Sequence, residues 1–314
     1  MTRPVLLAGL LALLAACTGG GPDATSTAPP STAPPSATTS STSTSGVPVA
    51  GGVYVSVGDS YATGYRPAAD GVPAGPSPDG FAYLVAARSN LRLVNVACSG
   101  ATSAGLREGS GCAPGNRALD APDPTGRTQL DAAVRTLREN QGRVSLVTVV
   151  IGGNDLTPCA RATTTSQAAT CAAEAVTEIQ ANLAEVLPVL REAAGDAPIV
   201  GLTYPDVFLG AWVSPVFPDG QDLARLSVPL FRDVLNTALR AEYDKVRAGF
   251  VDVTAATGGY QPLTETTRDP TYGPVPEPVA RICELTYFCD RADVHPTPAG
   301  HRVIASAVLA AVPG

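Results

Sequence analysis

Histidine is almost missing from this sequence: of 314 residues, only His295 and His301 carry an imidazole. A reaction that needs a histidine base has two candidates, and a histidine-rich metal site cannot be built. No Cys-x-x-Cys pair occurs, which removes the common zinc and dithiol motifs. The glycines from Gly58 to Gly64 do not form a Gly-x-Gly-x-x-Gly turn and no P-loop lysine follows, so dinucleotide and phosphate-cradle readings fail. Charged residues make up only 16% of the chain, the formal net charge is −7, and Lys and Arg do not cluster. Nucleic acid and anionic membrane surfaces are therefore not expected partners, and acidic substrates are disfavoured. Internal repeats are absent as well.

What is present is apolar bulk. Hydrophobic residues reach 45%, enough to bury a sizeable core in one large domain or two small ones. The apolar run Val5 to Ala16 follows Arg3 and is too short to span a bilayer, so it reads as an export signal. It ends in Leu14-Ala15-Ala16-Cys17, which resembles the lipobox of bacterial lipoproteins, where the cysteine becomes the lipidated first residue. Of seven cysteines, Cys17 apart, six remain: Cys98, Cys112, Cys159, Cys171, Cys283 and Cys289. An even remainder in an exported chain suggests disulfides. Their grouping into three local couples predicts the pairs 98–112, 159–171 and 283–289.

From about Gly19 to Gly46 the sequence is nearly all Thr, Ser, Pro, Ala and Gly. Such a stretch cannot bury enough surface to offset its chain entropy, and it reads as a disordered tether. The expected organisation is a leader over 1–17, a tether over 18–48 and one domain over 49–314. Within that domain, β-branched runs at Val53 to Val57, Leu91 to Ala97, Val144 to Ile151, Ile199 to Thr203 and Phe250 to Val253 read as strands. Helical patterns run from about Ala172 to Ala194, Asp222 to Arg247 and Pro298 to Ala311. In the second of these, Leu226, Leu230, Val234 and Leu235 fall on one face. Pro188 and Pro229 are expected to kink these helices or move their boundaries. Apolar strands joined by helical crossovers predict a parallel sheet covered on both faces, an α/β/α sandwich. Long loops are expected at 64–80, 105–127, 155–170, 205–221 and 255–290.

Three of the predicted strands run into turns of small and polar residues: Gly58-Asp59-Ser60-Tyr61-Ala62, Cys98-Ser99-Gly100-Ala101-Thr102 and Gly152-Gly153-Asn154-Asp155. All lie at carboxyl ends of parallel strands, where open α/β sheets bind ligands. Together they bring a hydroxyl, a glycine N–H and a carboxamide to one sheet edge. Those are the parts acyl transfer needs, since a serine requires a base and a tetrahedral oxyanion requires donors fixed in advance. His295, in Ala292-Asp293-Val294-His295-Pro296-Thr297 before the last helix, is the candidate base. His301 lies inside that helix and reads as structural or merely exposed. Asp59 and Asp155 read as caps or braces of their turns. Phe208, Trp212, Val213 and Phe217 form either an apolar wall of the site or a local core.

The GDSYATG segment, the Gly100 turn, the GGND segment and the DVHP segment, in this order, resemble the SGNH (GDSL-type) hydrolase superfamily. More narrowly, the chain is similar to its secreted actinobacterial lipase/esterase branch, which also carries paired cysteines after the second and third blocks. The resemblance implies a flavodoxin-like sheet of order 2-1-3-4-5, Ser60 as nucleophile and His295 as general base. It implies an oxyanion hole made of the Ser60 N–H, the Gly100 N–H and the Asn154 side chain, with no metal or organic cofactor. The expected substrate is a small-molecule or lipid ester, and the expected state is a monomer tethered to a membrane by its lipid anchor. One position departs from the family pattern. The catalytic Asp usually precedes the His by three residues, and Ala292 stands there. Asp293 is the expected orienter of His295, with Asp290 or a backbone carbonyl as alternatives.

The same residues also suit an acyltransferase that passes the acyl group to a carbohydrate or cell-wall hydroxyl. A tethered binding lipoprotein would suit the leader and linker, but it has no need of Ser60, Asn154 and His295 together.

Overall fold

The computed structural model describes residues 51–312, apart from 70, 110, 124–126 and 162–163. The leader and tether expected over 1–48, with Cys17, lie outside the described residues. Five parallel strands form the main sheet: β1 (Val53–Gly58), β2 (Arg92–Asn95), β3 (Val144–Val150), β4 (Ile199–Leu202) and β5 (Gly249–Val251), in spatial order β2-β1-β3-β4-β5. β1 and β4 are buried at every position. A strand covered on both faces is apolar on both, and these segments are rich in Val, with the polar Ser56 buried within β1.

Eleven α-helices lie among the described residues: α1 (Ser60–Thr63), α2 (Phe81–Ser89), α3 (Gly105–Glu108), α4 (Gln129–Glu139), α5 (Thr165–Ala194), α6 (Gly220–Pro229), α7 (Asn236–Lys245), α8 (Val253–Ala256), α9 (Glu277–Leu285), α10 (Phe288–Arg291) and α11 (Pro298–Ala311). They flank the sheet in two groups, α2 with α11 and α4 with α5 and α7. The main core is a continuous cluster of sheet and helix residues such as Tyr54, Leu146, Ile179, Leu183, Tyr243 and Ile304. This is the α/β fold expected from the apolar strands and helical crossovers, with the strand order that the family resemblance implies.

Two expectations need correction. The segment 220–245 is helical throughout with a boundary at Pro229, as expected, but a π-helical turn, Leu230–Leu235, joins α6 to α7, and the expected single face does not hold. Proline supplies no N–H to the ladder, and the wider turn after it shifts the buried face. The inward positions are Ala224, Ser227, Phe231, Leu235, Leu239 and Tyr243, whereas Val234 is 41% exposed. The segment 255–290 is not all loop either. It holds an antiparallel pair, β6 (Thr266–Asp269) and β7 (Gly273–Pro276), followed by α9 and α10. Pro188 lies inside α5 without ending it.

Three disulfides join Cys98 to Cys112, Cys159 to Cys171 and Cys283 to Cys289. Each closes a short local loop at the end of the sheet that carries the three small-residue turns.

Candidate active site

The serine turn is shaped by Gly58, the last residue of β1. Its φ is +145°, and a Cβ there would stand 2.1 Å from the Val150 carbonyl oxygen, so no side chain fits. Gln129, the buried first residue of α4, straps this glycine from outside. The Gly58 N–H donates to Gln129 Oε1 (2.6 Å), and Gln129 Nε2 donates to the Gly58 carbonyl (3.0 Å). Asp59 then caps α1 by accepting from the Tyr61 N–H (2.9 Å), and Gly64 ends the single turn in the left-handed region at φ +68°. Ser60 is the first residue of that turn, so its N–H has no intrahelical partner. Ser60 is 8% exposed.

The second turn is pinned against the first. The Cys98 N–H donates to the Gly58 carbonyl (3.0 Å), the Ser99 N–H to the Asn116 carbonyl (2.8 Å) and the Ala101 N–H to the Cys98 carbonyl (3.0 Å). The hydroxyls of Thr63 and Ser99 share a hydrogen bond of 2.8 Å. Gly100 stands between these anchors at φ +85° with open space where a Cβ would be. Among the described residues, the N–H groups of Ser60 and Gly100 donate to no protein acceptor. Asn154 Nδ2 donates to the Ala101 carbonyl (2.8 Å). That bond orients the carboxamide and leaves its second N–H available. Asp155 braces the same pair of turns, accepting from the Ser103 N–H (2.9 Å) and the Ser103 hydroxyl (2.5 Å). Burial raises the Asp155 carboxyl above its ordinary range. A cavity of about 310 Å³ opens beside Gly100 and the Cys98–Cys112 bridge, with Arg117 and Arg127 on its wall.

His295 arrives on the loop before α11. The Tyr287 N–H holds its carbonyl (3.0 Å), and the Tyr65 ring packs on its imidazole with centroids 4.4 Å apart. Asp293 Oδ1 lies 2.7 Å from His295 Nδ1 and also accepts from the His295 N–H (2.9 Å). Burial pushes the Asp293 carboxyl up, but the two bonds to His295 outweigh it and hold the group below the usual carboxylate range. An ionised carboxylate only accepts, so in the neutral ring it is Nδ1 that carries the proton and Nε2 that keeps its lone pair. Asp290 accepts instead from the Tyr272 hydroxyl. Ala292, where the family pattern has its aspartate, is the left-handed cap of α10 at φ +51°. Ser60 Oγ and His295 Nε2 are not hydrogen-bonded to each other among the described residues.

Asp59 is deeper than its neighbours. It is 1% exposed and accepts from the Tyr204 hydroxyl (2.5 Å). Burial pushes its carboxyl up to about 6, against the opposing pull of Tyr204 and the Tyr61 N–H. His301 is buried in α11, and its Nδ1 accepts from the Phe81 N–H (3.2 Å). It serves the packing of α11 on α2. Phe208, Trp212, Val213 and Phe217 join local clusters: Phe217 stacks on Phe288 at 5.5 Å, and Phe208 meets Phe231 and Phe288 edge-on. All four are partly buried in those contacts. Gln129 and Tyr204 carried no motif signal, although a polar residue opening a helix directly behind a glycine-rich turn is a place to look for such a strap.

No curated protein matches the sequence. Among solved structures, an extracellular lipase from Streptomyces rimosus superposes with a TM-score of 0.52 and 20% identity, covering 83% of this chain and 99% of that one. A phospholipase A1 from Streptomyces albidoflavus gives 0.50 and 19%, covering 83% and 100%. At such identities the likeness establishes the fold alone. The profile of the GDSL-like Lipase/Acylhydrolase family matches residues 56–303. That span holds all three turns and the His295 loop, and the chain therefore belongs to the GDSL-like lipase/acylhydrolase family of ester-hydrolysing enzymes.

Proposed function

We propose that the protein hydrolyses carboxylic esters through an acyl intermediate on Ser60, with His295 as general base and Asp293 as its orienting carboxylate. The observation that carries this reading is the Asp293–His295 pair, whose geometry leaves Nε2 as the basic nitrogen. Ser60 Oγ attacks the ester carbonyl while its proton passes to Nε2, and a tetrahedral oxyanion forms. The free N–H groups of Ser60 and Gly100, with the remaining Asn154 N–H, are the donors for that oxyanion. Collapse breaks the bond to the alkoxy group, which takes the proton from His295. Water then repeats the sequence on the acyl-serine and frees the acid. The disulfides at Cys98, Cys159 and Cys289 brace the loops that carry these groups.

The remaining parts of the reading concern where the enzyme works. We assign residues 1–17 to an export leader cleaved before a lipidated Cys17, residues 18–48 to a tether and 49–314 to the catalytic domain. The domain then acts as a monomer on the outer face of the cell membrane.

The test is Ser60→Ala. The variant should stay folded, lose turnover of a simple aryl ester and lose covalent labelling by a fluorophosphonate. Wild-type turnover by a folded Ser60→Ala protein would overturn the mechanism.

A further inference from the structure

The serine turn and the histidine loop are brought in from opposite ends of the domain, and no bond joins Ser60 Oγ to His295. What does join them is Tyr61. Its hydroxyl donates to the Val294 carbonyl at 2.5 Å, and Val294 is the residue between Asp293 and His295. The bond therefore grips the middle of the carboxylate–imidazole pair. The N–H of the same tyrosine donates to Asp59 Oδ1, so one residue, directly after Ser60, is tied at both ends.

Tyr204 stands behind it. Its hydroxyl donates to Asp59 Oδ2, and its ring meets the Tyr61 ring edge-on with centroids 4.9 Å apart. The same ring covers the third turn, since a Cβ on Gly153 would lie 3.0 Å from it. One connected unit thus runs from the Asn154 turn through Tyr204, Asp59 and Tyr61 to the histidine loop. Burial, with the carboxylates of Asp59 and Asp293 nearby, pushes the Tyr61 phenol well above its ordinary range, so it remains a donor wherever the enzyme works.

We infer that Tyr61, backed by Asp59 and Tyr204, is a positioning residue that fixes the approach of His295 to Ser60. The inference rests on the assignment of those two residues as base and nucleophile. Tyr61 touches neither the ester nor the oxyanion. It acts by holding the imidazole where proton transfer is in reach, and small misplacements of a catalytic group cost rate steeply.

Tyr61→Phe removes the hydroxyl and keeps the ring. Turnover of an aryl ester should fall by about tenfold to a hundredfold, with KM within about twofold of wild type. Tyr204→Phe should move kcat the same way by less. Tyr54→Phe is the comparison, because its hydroxyl is bonded to Thr148 inside the sheet (2.7 Å) and its loss should leave kcat unchanged. A wild-type kcat in folded Tyr61→Phe overturns the inference, as does an equal kcat loss in Tyr54→Phe or a loss carried by KM. Should Tyr61→Phe fail to fold, Tyr204→Phe decides: lowered kcat at constant KM supports the role, and wild-type kcat refutes it. Ser60→Ala separates the two levels. If it retains turnover the base–nucleophile assignment itself has failed, whereas a dead Ser60→Ala beside a fully active Tyr61→Phe removes only the positioning role.

Discussion

At the scale of single residues, two carboxylates compete for His295 and the geometry separates them. Asp293 bonds both the ring and the backbone N–H of His295, while Asp290 is engaged with Tyr272. Asp293→Asn leaves an amide that no longer fixes the tautomer, and kcat should drop by up to about 10⁴, the loss known for the serine-protease template. Asp290→Asn should stay within about tenfold of wild type, a deficit of only about 1.4 kcal/mol. Steady-state kinetics on the two variants check the ranking. Buried titratable groups also set the pH range of the fold. Burial pushes His301 down to about 3, so below its ordinary value near 6.5 the unfolded chain takes up a proton that the folded chain cannot. Stability is lost on that account as pH falls from about 6.5 towards 3. Asp59 and Asp206 act in the opposite sense. Burial pushes them up to about 6 and about 7, so the folded chain holds protons the unfolded chain has released, and stability is lost as pH rises from about 4 through those values. Urea midpoints measured across pH should show His301→Gln flattening the acid limb and Asp206→Asn flattening the limb above about pH 5.

At the scale of elements, the parts legible in the sequence are those with one dominant physical signal. The short Val-rich segments of β1, β3 and β4 read as buried strands, and Thr297-Pro298 marks the start of α11 through a side-chain cap and a proline in the first turn. Segments whose structure depends on distant partners were not legible. β6 exposes three of its four residues and β7 contains two prolines, so neither alternates as a half-buried strand should. The face of α6 and α7 was misread because a π turn after Pro229 changes the period that sequence patterns assume. In the site, Ser60, Gly100, Asn154 and His295 stood out through motif order, and Asp293 through adjacency. Gln129 did not, because its role exists only once α4 is laid against the end of β1. Its removal is the test of that packing. Gln129→Leu leaves the Gly58 N–H without its acceptor, and a buried polar group without a partner costs about 1–3 kcal/mol. Thermal melts should show the loss of stability, and kcat should fall with it, because Ser60 stands two residues beyond the strapped glycine.

At the scale of the whole molecule, the proposed tether and lipid anchor at Cys17 carry a prediction of their own. On the proposed reading, a tether of about 30 residues rich in Ser, Thr and Pro has a reach of roughly 30 Å. Two or more acyl chains anchor stably where one binds only marginally. Cys17→Ser should therefore move the enzyme from the membrane pellet to the soluble fraction, or block processing of the leader. Fractionation of cells expressing both forms measures this.

The single tryptophan gives the fold an optical consequence. Trp212 packs into the small cluster that includes Leu209, Ile282 and both cysteines of the 283–289 bridge, with the Arg225 guanidinium 4.7 Å above its ring. A disulfide next to an indole accepts energy or an electron from its excited state and darkens it. Tryptophan emission from this protein is therefore a local gauge of the satellite cluster that holds the 283–289 bridge. Emission should brighten on mild reduction while circular dichroism stays flat, reporting the opening of the bridge whose loop carries Tyr287, the residue whose N–H holds the His295 carbonyl.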